Sequence, residues 1–270
     1  MMQVIQCAAC AGSVAYDAKR EVAACLFCGS VAVHPETLAE QIRTPDTMLA
    51  FEVKRERAEQ AFREWARGSW WYPKELRNLS VVLNDALLPA WRFDARIETH
   101  WAGLTRALTR SGLRPVSGVA RTQLPIMVPA SMGLSVREIA ALEPFELSAA
   151  KPWRDLKSAV PFELPSVTET GARERARTLL SARHRDSLAR EHRLQRCLGS
   201  SLIEVDTTRL LMLPIWIGSF RYRGLPWRLV INAQTGRVTG RAPLDRLKVG
   251  LAIAAAVLVG LVLAWWRAGQ

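Results

Sequence analysis

Four cysteines fall in two pairs, Cys7-Ala-Ala-Cys10 and Cys25-Leu-Phe-Cys28, with 14 residues between the pairs. Thiolates at this spacing suit one tetrahedral Zn2+ bound by Cys7, Cys10, Cys25 and Cys28. With all four positions filled by the protein, the site would be closed and structural, with no place for a catalytic water. Each pair requires a tight turn, and Gly12 and Gly29 supply backbone freedom beside it. A module of roughly 35 residues buries too little apolar surface to fold alone, so the metal would hold it together. Disulfides are disfavoured in a cytosolic chain, and a redox dithiol usually comes as a single pair. Cys197 stands alone and reads as an ordinary buried or half-buried thiol. His34 follows the second pair, but four thiolates leave it nothing to coordinate.

Other catalytic signatures are not found in the sequence. There is no glycine-rich phosphate loop and no His-Glu-x-x-His. His184-Arg185-Asp186 matches the first letters of a kinase catalytic loop, but Glu191 stands where asparagine should follow and no Asp-Phe-Gly comes after it. His184 and His192 are eight apart, not at the four-residue spacing of helical metal ligands. The four histidines offer few acid–base candidates. The chain therefore reads as a non-enzyme.

The pairs must be positioned by short strands, with Val14 to Tyr16 and Glu21 to Ala24 as candidates. Pro35 to Asp46 reads as a linker. Ala58, Ala61, Phe62 and Trp65 form one apolar stripe on a helix from about Lys54 to Arg67, stopped at Gly68. Trp70-Trp71-Tyr72-Pro73 follows, as core filling beside the helix or, less favoured, an aromatic docking surface. Two segments are alike, Leu88-Pro89-Ala90-Trp91 and Leu213-Pro214-Ile215-Trp216, each leading into a strand-like run. Between them, Arg114 to Pro129 adds strands, Leu142 to Pro165 is irregular, and Glu169 to Arg193 is a basic helix. Phe220 and Tyr222 alternate with Arg221 and Arg223, Gly224 marks a hairpin turn, and Trp227, Leu229 and Ile231 line the next strand. Asn232 to Gly236 is a second turn.

Val249 to Trp266 carries no charge over 18 residues. As a helix it would span about 27 Å, close to the hydrocarbon core of a bilayer. Lys248 and Arg267 bracket it, and Trp265 and Trp266 suit the headgroup boundary. Five cations, Arg228, Arg237, Arg241, Arg246 and Lys248, precede it and only Arg267 follows. The positive-inside rule then puts the N-terminal bulk in the cytosol and a short tail outside. No signal peptide is visible at the N-terminus. The net charge of +12 is uneven: residues 1–40 carry −2 and residues 201–270 carry +6. The excess nearest the anchor fits anionic lipid around residues 209–248. Nucleic acid is disfavoured as a ligand of the acidic ribbon.

Taken together, these blocks resemble a bacterial family of single-pass membrane proteins with a zinc ribbon of the transcription-factor-IIB type. The likeness rests on the paired cysteines, Ala58 and Trp65 leading to Pro73 and Leu76, and Leu88 to Trp91 with Phe93-Asp94-Ala95. It continues through Val128 to Ser131, Leu142 to Phe145, Leu213 to Trp216, Tyr222 to Gly224 and Ile231 to Gly240. The family has an aromatic where Ala90 stands, lysine where Leu225 stands and glycine where Ala233 stands. Members are sometimes labelled primosomal helicases, and no helicase motif occurs here. The resemblance implies an adaptor that recruits SPFH-type or phage-shock-type proteins to a membrane.

The expected fold is α+β. A four-cysteine zinc ribbon occupies residues 1–34, a linker 35–46 and a β-rich cytosolic domain 47–245. That domain has two possible related lobes, at about 80–130 and 200–242. A transmembrane helix spans 248–267 and places the chain in the inner membrane. The expected function is a tail-anchored adaptor for a soluble or membrane-associated protein, the alternative a membrane-tethered nucleic-acid-binding regulator. Ala256, Gly260 and Ala264 recur every four residues and would allow a homo-oligomer through the membrane helix.

Overall fold

The computed structural model describes residues 2–9, 12–17, 24–27, 29–36, 43–106, 112–153 and 160–268. Three short strands open the chain: β1 (Met2–Cys7), β2 (Ser13–Asp17) and β3 (Val33–Glu36). Both β2 and β3 pair antiparallel with β1. Pro35, read as linker, lies in β3 opposite Ile5. An edge strand tolerates the missing amide. Of the strand expected over Glu21 to Ala24, residues 21–23 lie outside the described residues.

The body follows. It comprises β4 (Thr47–Met48), α1 (Arg55–Arg67), β5 (Val82–Arg106), β6 (Leu113–Pro129), α2 (Val136–Leu142), β7 (Lys151–Pro152) and β8 (Phe162–Glu163). It continues with α3 (Glu169–Glu191), β9 (Arg196–Tyr222), β10 (Leu225–Asn232) and β11 (Val238–Gly240), and α4 (Arg246–Ala268) ends the chain. The central ladder is β5 antiparallel to β9, from Val82↔Ser219 to Leu104↔Arg196. At about 3.3 Å per residue it runs for roughly 70 Å. Beyond β5 lie β6 and β8, and β8 in turn pairs with the N-terminal strand β2 (Val14↔Glu163). Beyond β9 lie β10 and β4.

The two Leu-Pro-x-Trp segments pair with each other, Leu88 opposite Leu213 in the middle of this ladder. The antiparallel pairing makes them related by an approximate two-fold axis, and the contacts around them repeat. Trp91 Nε1 donates to the Val167 carbonyl at 2.9 Å, and Trp216 Nε1 to the Val53 carbonyl at 2.8 Å. Each of these valines lies two residues before a helix, α3 and α1 respectively. Val167 N–H donates to Ala130 O, and Val53 N–H to Ala233 O. Ala130 N–H donates to Pro89 O, and Ala233 N–H to Pro214 O. Arg43 lies over Trp91 and Arg55 over Trp216. The repeating unit is thus helix–strand–strand, α1-β5-β6 and α3-β9-β10. Each helix covers the other unit's hairpin.

Burial follows the two-residue period of the strands. On one face Trp91, Phe93, Ile97 and Val128 pack under Ala172, Ala176 and Leu180 of α3. On the same face Trp216, Phe220, Leu229 and Ile231 pack under Ala58, Phe62 and Ala66 of α1. Trp65, expected on the α1 stripe, is only partly buried, and Ala66 goes deeper. The opposite face, with Ala86, Leu88, Ala90, Leu211, Leu213 and Ile215, is covered by the N-terminal segment (Cys7, Val14, Tyr16, Leu26, Phe27) and α2. The buried residues of α3 fall every four positions, at Ala172, Ala176, Leu180, His184 and Leu188.

Candidate metal centre and membrane anchor

The N-terminal strands β1–β3 hold the described cysteines Cys7 and Cys25 in one buried cluster. Cys7 closes β1 and its N–H donates to Gly12 O at 3.0 Å, which turns the chain tightly around the first pair. In the second turn Cys25 N–H donates to Ser30 O at 2.8 Å and Gly29 N–H to Cys25 O at 2.9 Å. Gly29 has φ +71°, where a side chain would be strained. The Ala8 N–H to Ala32 O bond joins the first turn to the exit of the second, and Cys7 pairs with Val33. Cys7 and Cys25 are both buried in one cluster with Val14, Tyr16, Leu26 and Phe27.

The Phe27 N–H points at Cys25 Sγ, 3.4 Å away and buried. Such a contact is compatible with Cys25 as a metal ligand. Cys10 and Cys28 lie outside the described residues. Among the described residues no three His, Cys, Asp or Glu side chains form a metal-holding group. His34 is exposed on β3, and Cys197 is half-buried on β9 opposite Gly103.

A buried acid that the sequence does not mark lies on the strand paired with β2. Glu163 of β8 is 1% exposed. It accepts hydrogen bonds from Ser131 Oγ and from the Gly133 N–H at 3.2 Å. Burial pushes its carboxyl up to about 7, and the Ser131 and Gly133 bonds and the Arg228 charge only partly oppose this. Gly133 sits against both Glu163 and the ring of Phe27. Single-sequence reading had no signal for Glu163, because its burial depends on strands far apart in the chain.

The kinase-like triplet has a structural explanation. His184 faces the sheet, hydrogen-bonded to Thr99 Oγ1 at 2.9 Å, and Thr99 reaches Ser201 at 2.7 Å. Burial lowers its basicity more than Glu191 raises it. Arg183, Arg190 and His192 line the groove of about 670 Å3 above it, where His192 stacks on Trp101.

The anchor is α4. It is long and apolar enough to cross a membrane, and none of its apolar window is buried against the rest of the described chain. The helix starts two residues before the expected span. Asp245 caps it, accepting from Leu247 N–H at 3.1 Å and Lys248 N–H at 3.4 Å. Burial opposes ionisation of Asp245, but these amide bonds and the Lys248 ammonium outweigh it and hold the carboxyl low. The first turn is fastened to the loop after α1. Lys248 Nζ donates to Trp70 O at 2.7 Å and Tyr72 O at 2.9 Å, and Asp245 N–H donates to Trp71 O at 2.9 Å. That loop is neither all core nor all surface: Trp70 is 65% and Trp71 42% exposed, whereas Tyr72 packs on Trp65.

Comparison with known proteins adds one relative. No family model matches the chain, and no solved structure matches it. An uncharacterized protein of Bacillus subtilis (strain 168), YdjG, is 22% identical over 228 residues. The match covers 76% of this chain and 65% of that protein, so the chain spans just under two thirds of the relative's length.

Proposed function

We propose that this protein is a membrane-tethered adaptor without catalytic activity, with its N-terminal bulk on the cytosolic face. In this reading α4 spans the inner membrane, and Cys7, Cys10, Cys25 and Cys28 hold one structural Zn2+ that keeps the ribbon folded on the body. The body carries a docking surface for a protein partner, soluble or membrane-associated, with the SPFH and phage-shock types as the candidates. The contact of Phe27 N–H with Cys25 Sγ and the shared burial of Cys7 and Cys25 support the zinc site. Anionic lipid around residues 209–248 and pairing of α4 through Ala256, Gly260 and Ala264 belong to the same proposal.

The observation that carries the adaptor reading is the far part of the β6-β5-β9 arm. Its α3-covered face is closed, but its other face is open. That open face displays Leu198 and Leu202, 68% and 65% exposed, among the ion pairs of Arg96 with Glu204 and Arg121 with Glu98. An apolar patch rimmed by charge is what a protein partner reads. Replacing Leu202 by the photo-crosslinking residue benzoylphenylalanine in the full chain tests this in the native cell. The expected result is one discrete crosslinked protein in the membrane fraction. A position 202 that captures only scattered background, in a variant that folds, contradicts a docking surface there.

A further inference from the structure

The exposed tryptophans beside the anchor have no role in the adaptor reading. Lys248 is the last charged side chain before Val249 to Trp266. If that stretch crosses the bilayer, the Lys248 ammonium marks the lipid–water boundary. Its two acceptors are the Trp70 and Tyr72 carbonyls, and its Nζ lies 5.2 Å from the Trp70 ring centroid. Trp70 therefore sits at the depth of the ammonium. The ring of Trp71 is 5.1 Å from it, edge to face.

Both rings are exposed in a protein that buries Trp91 almost completely. Leu244 and Leu247, 56% and 72% exposed, add exposed apolar side chains just before and within the first turn of α4. Exposed Arg67, Lys74, Arg241 and Arg246 lie nearby in the chain and suit lipid phosphates. Spanning helices carry tryptophan at both interfaces. Here α4 supplies only its far pair, Trp265 and Trp266.

We propose that Trp70 and Trp71 form a membrane foot. They enter the headgroup layer next to the point where α4 enters the bilayer, and they supply the near-side aromatic belt that α4 lacks. The partner is the lipid surface itself. Two attachments, helix and foot, then fix how the roughly 70 Å sheet stands on the membrane. This inference rests on α4 crossing the bilayer.

The test uses the full chain in vesicles of phosphatidylethanolamine and phosphatidylglycerol. Benzoylphenylalanine is placed at one position per variant: Trp70, Trp71, Leu258 within α4, or Leu198 near the far tip of the sheet. Exposure of both tryptophans means that replacing either removes little core packing, and two separate foot variants guard against one misfolding. Irradiation should attach lipid at 70, 71 and 258 and not at 198. Lipid attachment at 258 with none at 70 or 71 overturns the foot and leaves the anchor standing. No attachment at 258 overturns the anchor and the foot together.

Discussion

Replacing Glu163 by glutamine should abolish a pH dependence of stability that the buried acid imposes. The unfolded chain would release this proton near pH 4.5, and the folded chain keeps it to about 7. The folded form is therefore favoured fully below pH 4.5, and the advantage is lost as pH rises through 7. A shift of that size corresponds to roughly 3 kcal/mol. A glutamine amide oxygen can accept from Ser131 and Gly133 as the protonated acid does, but the amide cannot ionise. Wild type and Glu163→Gln should match near pH 4.5, and the variant should be more stable at pH 8 by about 2–3 kcal/mol. Urea unfolding of both full-length proteins in mild detergent, followed by tryptophan fluorescence from pH 4.5 to 8.5, gives the difference. Any loss of metal at acid pH is common to both proteins and cancels. A difference that stays constant across this range would show that Glu163 does not titrate where burial should place it.

Three further outcomes follow from the packing. Trp91→Phe and Trp216→Phe each remove an indole donor and leave a valine carbonyl unpaired, so each should cost about 2 kcal/mol. Because the two sites share no partner, their costs in the double variant should add, which urea midpoints will read. Gly133→Ala forces a methyl onto Glu163 Oε2 and to 2.8 Å from Phe27 Cε1. It should therefore loosen the ribbon from the body, seen as faster hydrogen exchange of the β2 amides. Cys25→Ser should lower bound zinc from one per chain to below half by elemental analysis; unchanged zinc would remove Cys25 from the site.

Much of the local structure was legible. The Ala58, Ala61, Phe62 stripe placed α1 within a residue of its observed start, and Gly224 and Gly236 marked turns that need φ of +80° and +77°. Arg114 to Pro129 became β6 with one residue added. The length of β5 was not legible, because Glu98 and His100 on the open face break up the apolar run that marks its start. The start of β9 at Arg196, well before the Leu-Pro-x-Trp segment, was not legible for the same reason. The likeness of that segment to Leu88 to Trp91 was visible, but its meaning was not. Only the pairing of Leu88 with Leu213, and the matching bonds of Trp91 and Trp216, show two units with exchanged helices. Glu163 stayed hidden because burial of a lone acid comes from tertiary contacts and leaves no periodic trace.

Alkaline carbonate extraction of membranes containing the full-length protein probes the tether on which the adaptor reading depends. An integral helix at residues 246–267 keeps the chain in the pellet after high-speed centrifugation. Recovery in the supernatant would mean that α4 is covered by protein rather than lipid, and the account of a membrane-bound adaptor would fail.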